Sequence, residues 1–237
     1  MDRPSEIMVF APGGVRSALL GAAKAFAAET AGKVAFTFGT GGGIHKQVAA
    51  GAAADVTVLP SSAVVDLIQK GLTVPGSEVD VGRIGVGVGI KAGAPRPKIA
   101  TVEEFREALL AAESITYADP ARGGTSGLYF ADVVLGHLGI AEQLRDKTTL
   151  TAVGEDAVRR VANGESAMVI VQASEITAVP GAELVGPLPN ALRNDLPYTA
   201  AVLRACKSPD AASAFVRFLR SPSGRAAFHA AGFTALG

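Results

Sequence analysis

The fold of this chain is indicated most clearly by one glycine-rich turn, Asp119-Pro120-Ala121-Arg122-Gly123-Gly124-Thr125-Ser126-Gly127. An extended apolar run over 114–118 leads into the turn, and an amphipathic helical pattern over 128–138 follows it. A strand, a turn and a helix in this order bring unpaired N–H groups and the positive end of a helix dipole to the turn. Glycines let the backbone approach a ligand, and Thr125 and Ser126 add hydroxyl donors. The turn therefore predicts a site for a small anion.

The composition is that of a globular protein without a charge bias. Of the 237 residues, 49% are hydrophobic, and 22 basic residues balance 22 acidic ones. The absence of a basic run argues against nucleic acid or an anionic membrane as a partner. No apolar stretch reaches the ~20 residues that cross a bilayer, so we expect no membrane insertion.

Cysteine and histidine are too sparse to build a metal centre. The single Cys206 excludes an internal disulfide, and we expect it to be a buried core residue. His45, His137 and His229 are too dispersed for the spacing of metal ligands. We therefore expect no metal and no cofactor.

The first third of the chain repeats the order strand, turn, helix. Strands predicted at 7–11, 33–38 and 55–59 are followed by Gly13-Gly14, by 39–43 and by Ser61-Ser62, and each turn opens a helix. Repeated β-α units predict a parallel sheet that binds its ligand at the carboxyl ends of the strands. The four glycines around Thr40 exceed what a turn requires and favour a ligand contact.

Two proline-rich connectors, 93–98 and 184–189, interrupt this pattern. The strand and helix order restarts after the first connector, and the chain closes with a strand and two helices after the second. The predicted fold class is α/β, with two Rossmann-like lobes joined by two hinge crossings. We expect lobe I to comprise residues 1–90 and 194–237, and lobe II residues 91–193. The cleft between them is expected to face the glycine turns of both lobes.

The remaining elements follow from the same signals. Thr101 and Glu104 form a capping box at the start of a helix that runs to Ala112. Alternating glycines over 83–91 indicate a closely packed strand. Further strands are expected at 150–153, 166–172 and 198–204, and further helices at 155–163, 209–219 and 222–231.

Several motifs, taken in order, resemble one known family. They are Val9–Gly14, Gln47–Val56, Tyr117–Pro120 with Gly127–Tyr129, Val161–Glu165 before Met168–Gln172, Tyr198–Val202, and Ala230–Phe233. Together they resemble the type II periplasmic solute-binding proteins of the molybdate-binding class, over essentially the whole chain. The resemblance implies the type II periplasmic binding protein fold, a monomer, and a small anionic solute that is delivered to an ABC importer permease. Aconitate isomerase, an enzyme, is similar to this class.

The resemblance also implies where the ligand binds. The oxyanion-binding serines of the family are matched by Gly13-Gly14 and by 39–42, where Thr40 alone keeps a hydroxyl, and its tyrosine is matched by Gln172. Two lost charge-assisted bonds, each worth about 1.5–3 kcal/mol, disfavour molybdate and tungstate, and the roomier turns favour an organic carboxylate. The expected ligand-binding residues are Gly13, Gly14, Arg16, Thr40, Gly41, Gly42, Ser61, Gly124, Thr125, Ser126 and Gln172.

The first functional hypothesis is a solute-binding protein whose two lobes close on a small organic acid. Arg16, Arg83 and Arg122 are the candidate charge partners, because a guanidinium pairs with a carboxylate through two hydrogen bonds. The location is expected to be periplasmic if a signal peptide has been removed, and cytoplasmic if Met1 is native.

The second hypothesis is a cytoplasmic enzyme on the same fold, an isomerase of a small unsaturated carboxylate similar to aconitate isomerase. Such an enzyme needs one base that moves a proton between carbon atoms. His45, Glu175 and Tyr117 are the candidates, and the sequence does not choose among them. A third hypothesis is a cytoplasmic sensor or chaperone lobe for an oxyanion.

Overall fold

The computed structural model describes residues 6–235, and the chain divides into two units. The first unit comprises the chain up to Arg83 together with the segment from Leu196 onwards, and the second comprises Ile84–Asp195. The chain therefore passes from one unit to the other at 83/84 and again at 195/196, seven and two residues from the predicted positions 90/91 and 193/194. The expectation that depends on whether Met1 is native concerns a residue that lies outside the described ones.

The first unit is built from strands that alternate with helices, as the α/β prediction requires. Its elements are β1 (Ile7–Pro12), α1 (Arg16–Thr30), β2 (Val34–Gly39), α2 (Gly41–Ala49), β3 (Val56–Pro60), α3 (Ser61–Gln69), β9 (Asp195–Val202), α10 (Pro209–Phe218) and α11 (Pro222–Ala230). The strand order is β2-β1-β3-β9. The first three of these strands are parallel, and β9 is antiparallel to β3.

Aromatic side chains hold the helices of the first unit together. The Phe26 ring on α1 meets Phe215 and Phe218 on α10 edge to face, with centroids 5.2 Å apart in both pairs. Phe233, after α11, packs on Phe228 in the same way at 5.2 Å. These rings are buried, and the edge-to-face geometry suits their quadrupoles, so the core fixes the helices against each other.

A buried carboxylate ties three distant segments of the first unit. Asp55 accepts hydrogen bonds from the backbone N–H groups of Met8 and Lys207, both at 2.9 Å. Burial raises the pKa of Asp55, but these bonds and one from the Cys206 thiol outweigh it and hold the pKa below its usual value. Cys206 is half-buried beside this carboxylate, so the prediction of a core cysteine is wrong. Burial and the Asp55 bond raise the pKa of the thiol to about 11.

The second unit repeats the order of the first. Its first strand, β4 (Val79–Lys91), begins in the first unit and enters the second at Ile84. The other elements are α4 (Val102–Ala111), β5 (Ile115–Ala118), α5 (Thr125–Tyr129), a π-helical turn (Phe130–Val134), α6 (Leu135–Leu138), α7 (Ala141–Leu144), β6 (Thr148–Thr151), α8 (Gly154–Asn163), β7 (Met168–Gln172), α9 (Ala173–Thr177) and β8 (Ala182–Pro187). The sheet runs β8-β4-β7-β5-β6. Strand β5 is parallel to β6 and β7, whereas β4 is antiparallel to β7 and β8.

Three local predictions can be compared with this unit. The capping box of Thr101 and Glu104 is confirmed at the start of α4. The close packing of the alternating glycines is confirmed, because a Cβ on Gly89 would lie 2.8 Å from a Val169 methyl carbon. The second connector is wrong in part, since most of it belongs to β8, whose Pro187 stands at the end of the strand, where its missing N–H costs little.

Candidate functional site

Three helices of the first unit begin at one edge of its sheet. Helices α1, α2 and α3 follow directly on the parallel strands β1, β2 and β3, and parallel strands end at a common edge. Gly13 and Gly14 form a 3-10 turn before α1, Thr40 is the N-cap of α2, and Ser61 is the first residue of α3. The predicted residues of this unit therefore come together at three helix starts, where backbone N–H groups favour an anion.

The start of α2 depends on its run of glycines. The Thr40 hydroxyl oxygen accepts a hydrogen bond from the Gly43 amide at 3.0 Å. A Cβ on Gly43 would lie 2.7 Å from that oxygen, so the cap requires a glycine there. Because the N–H groups of the first turn have no intrahelical acceptors, Gly41 and Gly42 remain the candidate donors to a ligand.

The side chain of Ser61 takes part in a chain of hydrogen bonds that the sequence did not predict. Its hydroxyl lies 2.7 Å from that of Thr199 on β9, and Thr199 donates to the Asp80 carboxylate at 2.7 Å. Since the single Thr199 proton goes to Asp80, the Ser61 proton must go to Thr199. Ser61 can therefore offer an anion its backbone N–H, but not its hydroxyl proton. The three residues are up to 138 positions apart, so no local pattern could indicate this chain.

Arg16, the first residue of α1, is exposed and lies over an aromatic ring. Its Cζ is 4.7 Å from the centroid of Phe38 at the end of β2. Phe38 in turn stacks on Phe36, with centroids 5.3 Å apart and planes at 13°. A guanidinium over a ring face is attracted by the ring quadrupole, so Phe38 holds Arg16 near the helix starts. The alternation of Phe36 and Phe38 along one strand was a signal for this stack that the sequence reading missed.

The other two candidate arginines have different surroundings. Arg122 is exposed in a 3-10 turn, and its Nε lies 3.8 Å from the Asp119 carboxylate. Arg83 is partly buried in β4, and within the described residues its buried Nε has no hydrogen-bond acceptor. Of the three, Arg16 is the one at a helix start of the first unit.

In the second unit, three helices again begin at one edge. Helices α5, α8 and α9 follow the parallel strands β5, β6 and β7. Thr125 is the first residue of α5, Ser126 is 5% exposed in its first turn, and Gln172, 3% exposed, is the N-cap of α9. The predicted residues of this unit thus lie at two of its three helix starts.

Close packing explains why glycines occur in the turn over residues 119–127. A Cβ on Gly127 would lie 1.8 Å from the carbonyl oxygen of Ala118, and one on Gly124 would lie 2.9 Å from the Ala118 methyl carbon. Gly123 has a φ of 78°, in the left-handed region that favours glycine. These residues let α5 start against the end of β5, so at Gly124 a structural requirement accompanies the predicted ligand contact.

A carboxyl group occupies the start of α8. Glu175, in the first turn of α9, reaches the first residue of α8, where a Cβ on Gly154 would lie 2.5 and 2.6 Å from its two oxygens. Burial raises the pKa of Glu175 to about 7. A hydrogen bond from the backbone N–H of Gln172 opposes this rise, and the charge of Glu155 adds to it. A carboxyl that titrates near neutrality can take up and release a proton under physiological conditions.

The other two candidate bases are less suited to proton transfer. His45 on α2 lies 2.7 Å from the Asp66 carboxylate on α3, which also binds Lys70 at 2.7 Å, so it belongs to an ion-pair network between two helices. Tyr117 is buried edge to face against Phe130, and its burial, with nearby carboxylates, raises the pKa of its hydroxyl. Tyr117 therefore stays protonated at neutral pH, which leaves Glu175 as the candidate.

Residues 6–235 contain neither a metal-ligand cluster nor a membrane-spanning helix. No group of three or more His, Cys, Asp or Glu side chains in this range has an arrangement that could hold a metal ion. None of the helices in this range is long and apolar enough to cross a membrane.

The chain is similar to a known protein family and to solved structures of binding proteins. Residues 7–234 match the family described as bacterial extracellular solute-binding protein. The periplasmic molybdate-binding protein of Azotobacter vinelandii has a similar structure, with a TM-score of 0.80 and 19% identity over 98% of this chain and 100% of that one. The sulfate-binding protein SubI of Mycobacterium tuberculosis H37Rv gives a TM-score of 0.77, with 18% identity over 98% of this chain and 87% of that one.

A curated relative is an enzyme. Aconitate isomerase from Pseudomonas sp is 29% identical over 178 residues, which are 75% of this chain. The match spans 66% of that relative, just under two thirds of its length. The resemblance to the molybdate-binding class and the predicted fold are confirmed. The chain therefore belongs to the bacterial extracellular solute-binding protein family and has the type II periplasmic binding protein fold.

Proposed function

We propose that this solute-binding protein takes a small organic carboxylate or polycarboxylate and delivers it to an ABC importer permease. The observation that supports the proposal most directly is the position of Arg16. Its guanidinium lies over Phe38 at the start of α1, immediately after the turn Gly13–Val15, which has no side-chain hydroxyl to offer. A guanidinium pairs with a planar carboxylate through two parallel N–H···O bonds, and the stacked ring lowers the entropy lost when that pair forms.

Backbone N–H groups at the helix starts are the proposed partners of the remaining ligand oxygens. They are positioned before binding and need no reorganisation, which suits a ligand that must be held and released. Thr125 and Ser126 add hydroxyls at the start of α5. The proposed ligand contacts are Gly13, Gly14, Arg16, Thr40, Gly41, Gly42 and Ser61 in the first unit, and Gly124, Thr125, Ser126 and Gln172 in the second.

The donor set also supports a carboxylate over molybdate or sulfate. A tetrahedral oxyanion presents oxygens in all directions and is best held by many short side-chain and backbone donors. Here the turn before α1 has no hydroxyl, and the Ser61 hydroxyl proton is committed to Thr199. Each missing charge-assisted bond lowers the binding free energy by about 1.5–3 kcal/mol, or roughly tenfold or more in affinity.

A ligand panel tests the proposal. Citrate, cis-aconitate, trans-aconitate, molybdate, tungstate and sulfate are compared by thermal shift, because a ligand that binds only the folded protein raises the unfolding midpoint by mass action. The carboxylates are expected to stabilise the protein, and calorimetry then gives their affinities. Stabilisation by molybdate or tungstate alone would contradict the carboxylate assignment.

The variant Arg16→Ala tests the assigned contact. It is expected to weaken the best carboxylate by about 1–3 kcal/mol, which is about five- to 150-fold in Kd. Arg145→Ala is the matched control, because Arg145 is exposed and pairs with Glu142 on the surface of the second unit. Equal affinities for wild type and both variants would remove Arg16 from the site.

The alternative function is an isomerase of a small unsaturated carboxylate. It is favoured by the similarity to aconitate isomerase and by the carboxyl of Glu175, whose pKa is about 7. The base would remove a proton from one carbon as the double bond shifts, and would return a proton to another carbon. Incubation of cis- and trans-aconitate with the protein in D2O, followed by proton NMR, separates the two functions. Deuterium in the ligand and interconversion of the isomers indicate the enzyme, and an unchanged bound ligand indicates the binding protein.

The location of the protein bears on the same choice. We propose that it works outside the cytoplasm, as its family does, because a binding protein that serves an importer must meet its solute there. Cell fractionation of the native host with an antibody against the chain tests this. Recovery of the protein in the cytoplasm alone would favour the isomerase.

A further inference from the structure

Glu175 occupies a position where a ligand anion would also be attracted. Its carboxyl lies against Gly154, the first residue of a ten-residue helix, so close that a Cβ there would displace it. The N-terminus of a helix attracts negative charge, so α8 attracts both this carboxyl and any anion at the same edge of the sheet. The structure thus places an ionisable group of the protein itself at one of the three helix starts of the second unit.

The charges around this carboxyl are few and mostly paired. The elements packed against α9 are α8, β7, β8 and β4, the last through Gly87 and Gly89. The ionisable residues of β4 are Asp80 and Lys91, which are exposed, and the partly buried Arg83. On α8, Glu155 pairs with Arg159, Arg160 pairs with Glu165, and Asp156 is partly exposed. Strand β7 has no ionisable side chain. On β8, Glu183 pairs with Arg96. Of these groups, Glu155 is the one whose charge acts on Glu175, and it acts against ionisation. The ionised form is supported by a hydrogen bond from the backbone N–H of Gln172 and by the N-terminus of α8.

An anionic ligand adds a second like charge to this position. Two carboxylates that share a partly buried site cannot both ionise freely, because each disfavours the charge of the other. The conflict is removed when Glu175 carries a proton, since a neutral carboxyl can donate its O–H to a ligand oxygen. We propose that Glu175 determines specificity at the anion site by coupling the binding of a carboxylate ligand to the uptake of one proton. This inference rests on the proposed function, because it requires an anion at these helix starts.

The coupling has a definite pH range. A group that titrates at about pH 7 is mostly protonated at about pH 6 and mostly ionised at about pH 8. If only the protonated form binds, the affinity of the wild type falls about tenfold between those values, in proportion to the protonated fraction. Binding at the higher pH takes up close to one proton per ligand.

Calorimetry with trans-aconitate as the probe tests the coupling. Titrations at about pH 6, 7 and 8, in two buffers of different ionisation enthalpy, give the affinity and the number of protons taken up. The wild type is expected to lose about tenfold in affinity across this range. Glu175→Gln, which keeps the size and is permanently neutral, is expected to bind equally at all three values, without proton uptake, and more tightly than wild type at the highest. Glu107→Gln, at an exposed position on α4, is the matched control and should follow the wild type.

The outcomes separate this inference from the proposed function. If Glu175→Gln keeps the pH slope and the proton uptake of the wild type, the coupling is refuted while the site stands. If no ligand of the panel binds the wild type, at low as well as high pH, the proposed function itself is refuted. Carboxyl carbon NMR of the ligand-free protein adds a check that needs no ligand. A glutamate resonance that titrates near neutrality is expected in the wild type and should be absent from Glu175→Gln. If the wild type lacks such a resonance, the inference is overturned.

Discussion

The replacement of Glu175 by glutamine is expected to change how the stability of the protein depends on pH. The pKa of Glu175 is about 7 in the folded protein and 4.5 is its ordinary value, so the folded state holds a proton that the unfolded state releases between these values. A raised carboxyl pKa costs no stability while the group is protonated in both states, and it destabilises the folded state once the group is ionised in both. The wild type therefore loses stability as the pH rises through this range, by about 3 kcal/mol at about 1.4 kcal/mol per pH unit. The glutamine variant cannot ionise and escapes this loss.

Urea unfolding measured at about pH 5, 6, 7 and 8 checks this prediction. Near pH 5 the two proteins should be similar, and near pH 8 the variant should be more stable by about 3 kcal/mol. For a chain of this size the difference corresponds to an unfolding midpoint about 6–12 °C higher. Glu107→Gln serves again as the control, because its side chain is exposed on α4 and should leave the wild-type pH dependence in place.

The same experiment can refute the reasoning. Parallel stability curves for wild type and Glu175→Gln would mean that the carboxyl titrates at its ordinary value, in contact with water. A variant that is less stable at every pH would mean that the ionised carboxylate stabilises the start of α8 through the helix dipole, the opposite of the effect of burial.

Two substitutions at glycine positions extend the test. In Gly154→Ala the new Cβ displaces the flexible end of the Glu175 side chain, so we expect little loss of stability at about pH 5. The stability should depend less on pH than in the wild type, because Glu175 moves into water and its pKa falls. The same urea series measures both effects. Gly127→Ala is expected to cost at least about 3 kcal/mol in urea unfolding, because the Cβ would lie 1.8 Å from a backbone carbonyl oxygen that cannot move aside. Gly136→Ala, in α6 with no atom within 4 Å of the added carbon, should be neutral or stabilising by up to about 1 kcal/mol, and an equal loss in the two variants would contradict the packing argument.

Local signals in the sequence were sufficient for the repeating part of the fold. Apolar runs that end in glycine or serine mark β1 to β3 and their helices, because a parallel sheet covered by helices needs uninterrupted apolar strands. The capping box of Thr101 and Glu104 marks α4 for a similarly local reason. Where each element depends on its own residues alone, the prediction and the structure agree.

Predictions failed or were not possible where distant residues decide the outcome. Strand β8 was hidden by Gly186-Pro187, which read as a connector, but pairing with β4 makes it a strand. The π-helical turn at Phe130–Val134 has no glycine or proline to announce it. The contact of Glu175 with Gly154 joins two helix starts that follow different strands, so only the assembled sheet brings them together.

The carboxylate of Asp55 has a consequence for the order in which the molecule can assemble. It bonds backbone groups at Met8 and Lys207, so a contact across 152 residues completes the first unit. The second unit is one continuous segment, Ile84–Asp195, and the pairings of β4, β5, β6, β7 and β8 with one another can form before the rest of the chain has left the ribosome. The first unit must instead wait for its closing strand, and its long loop closure slows its folding. During synthesis, the middle segment of the sequence is thus in a position to become native ahead of the two segments that flank it.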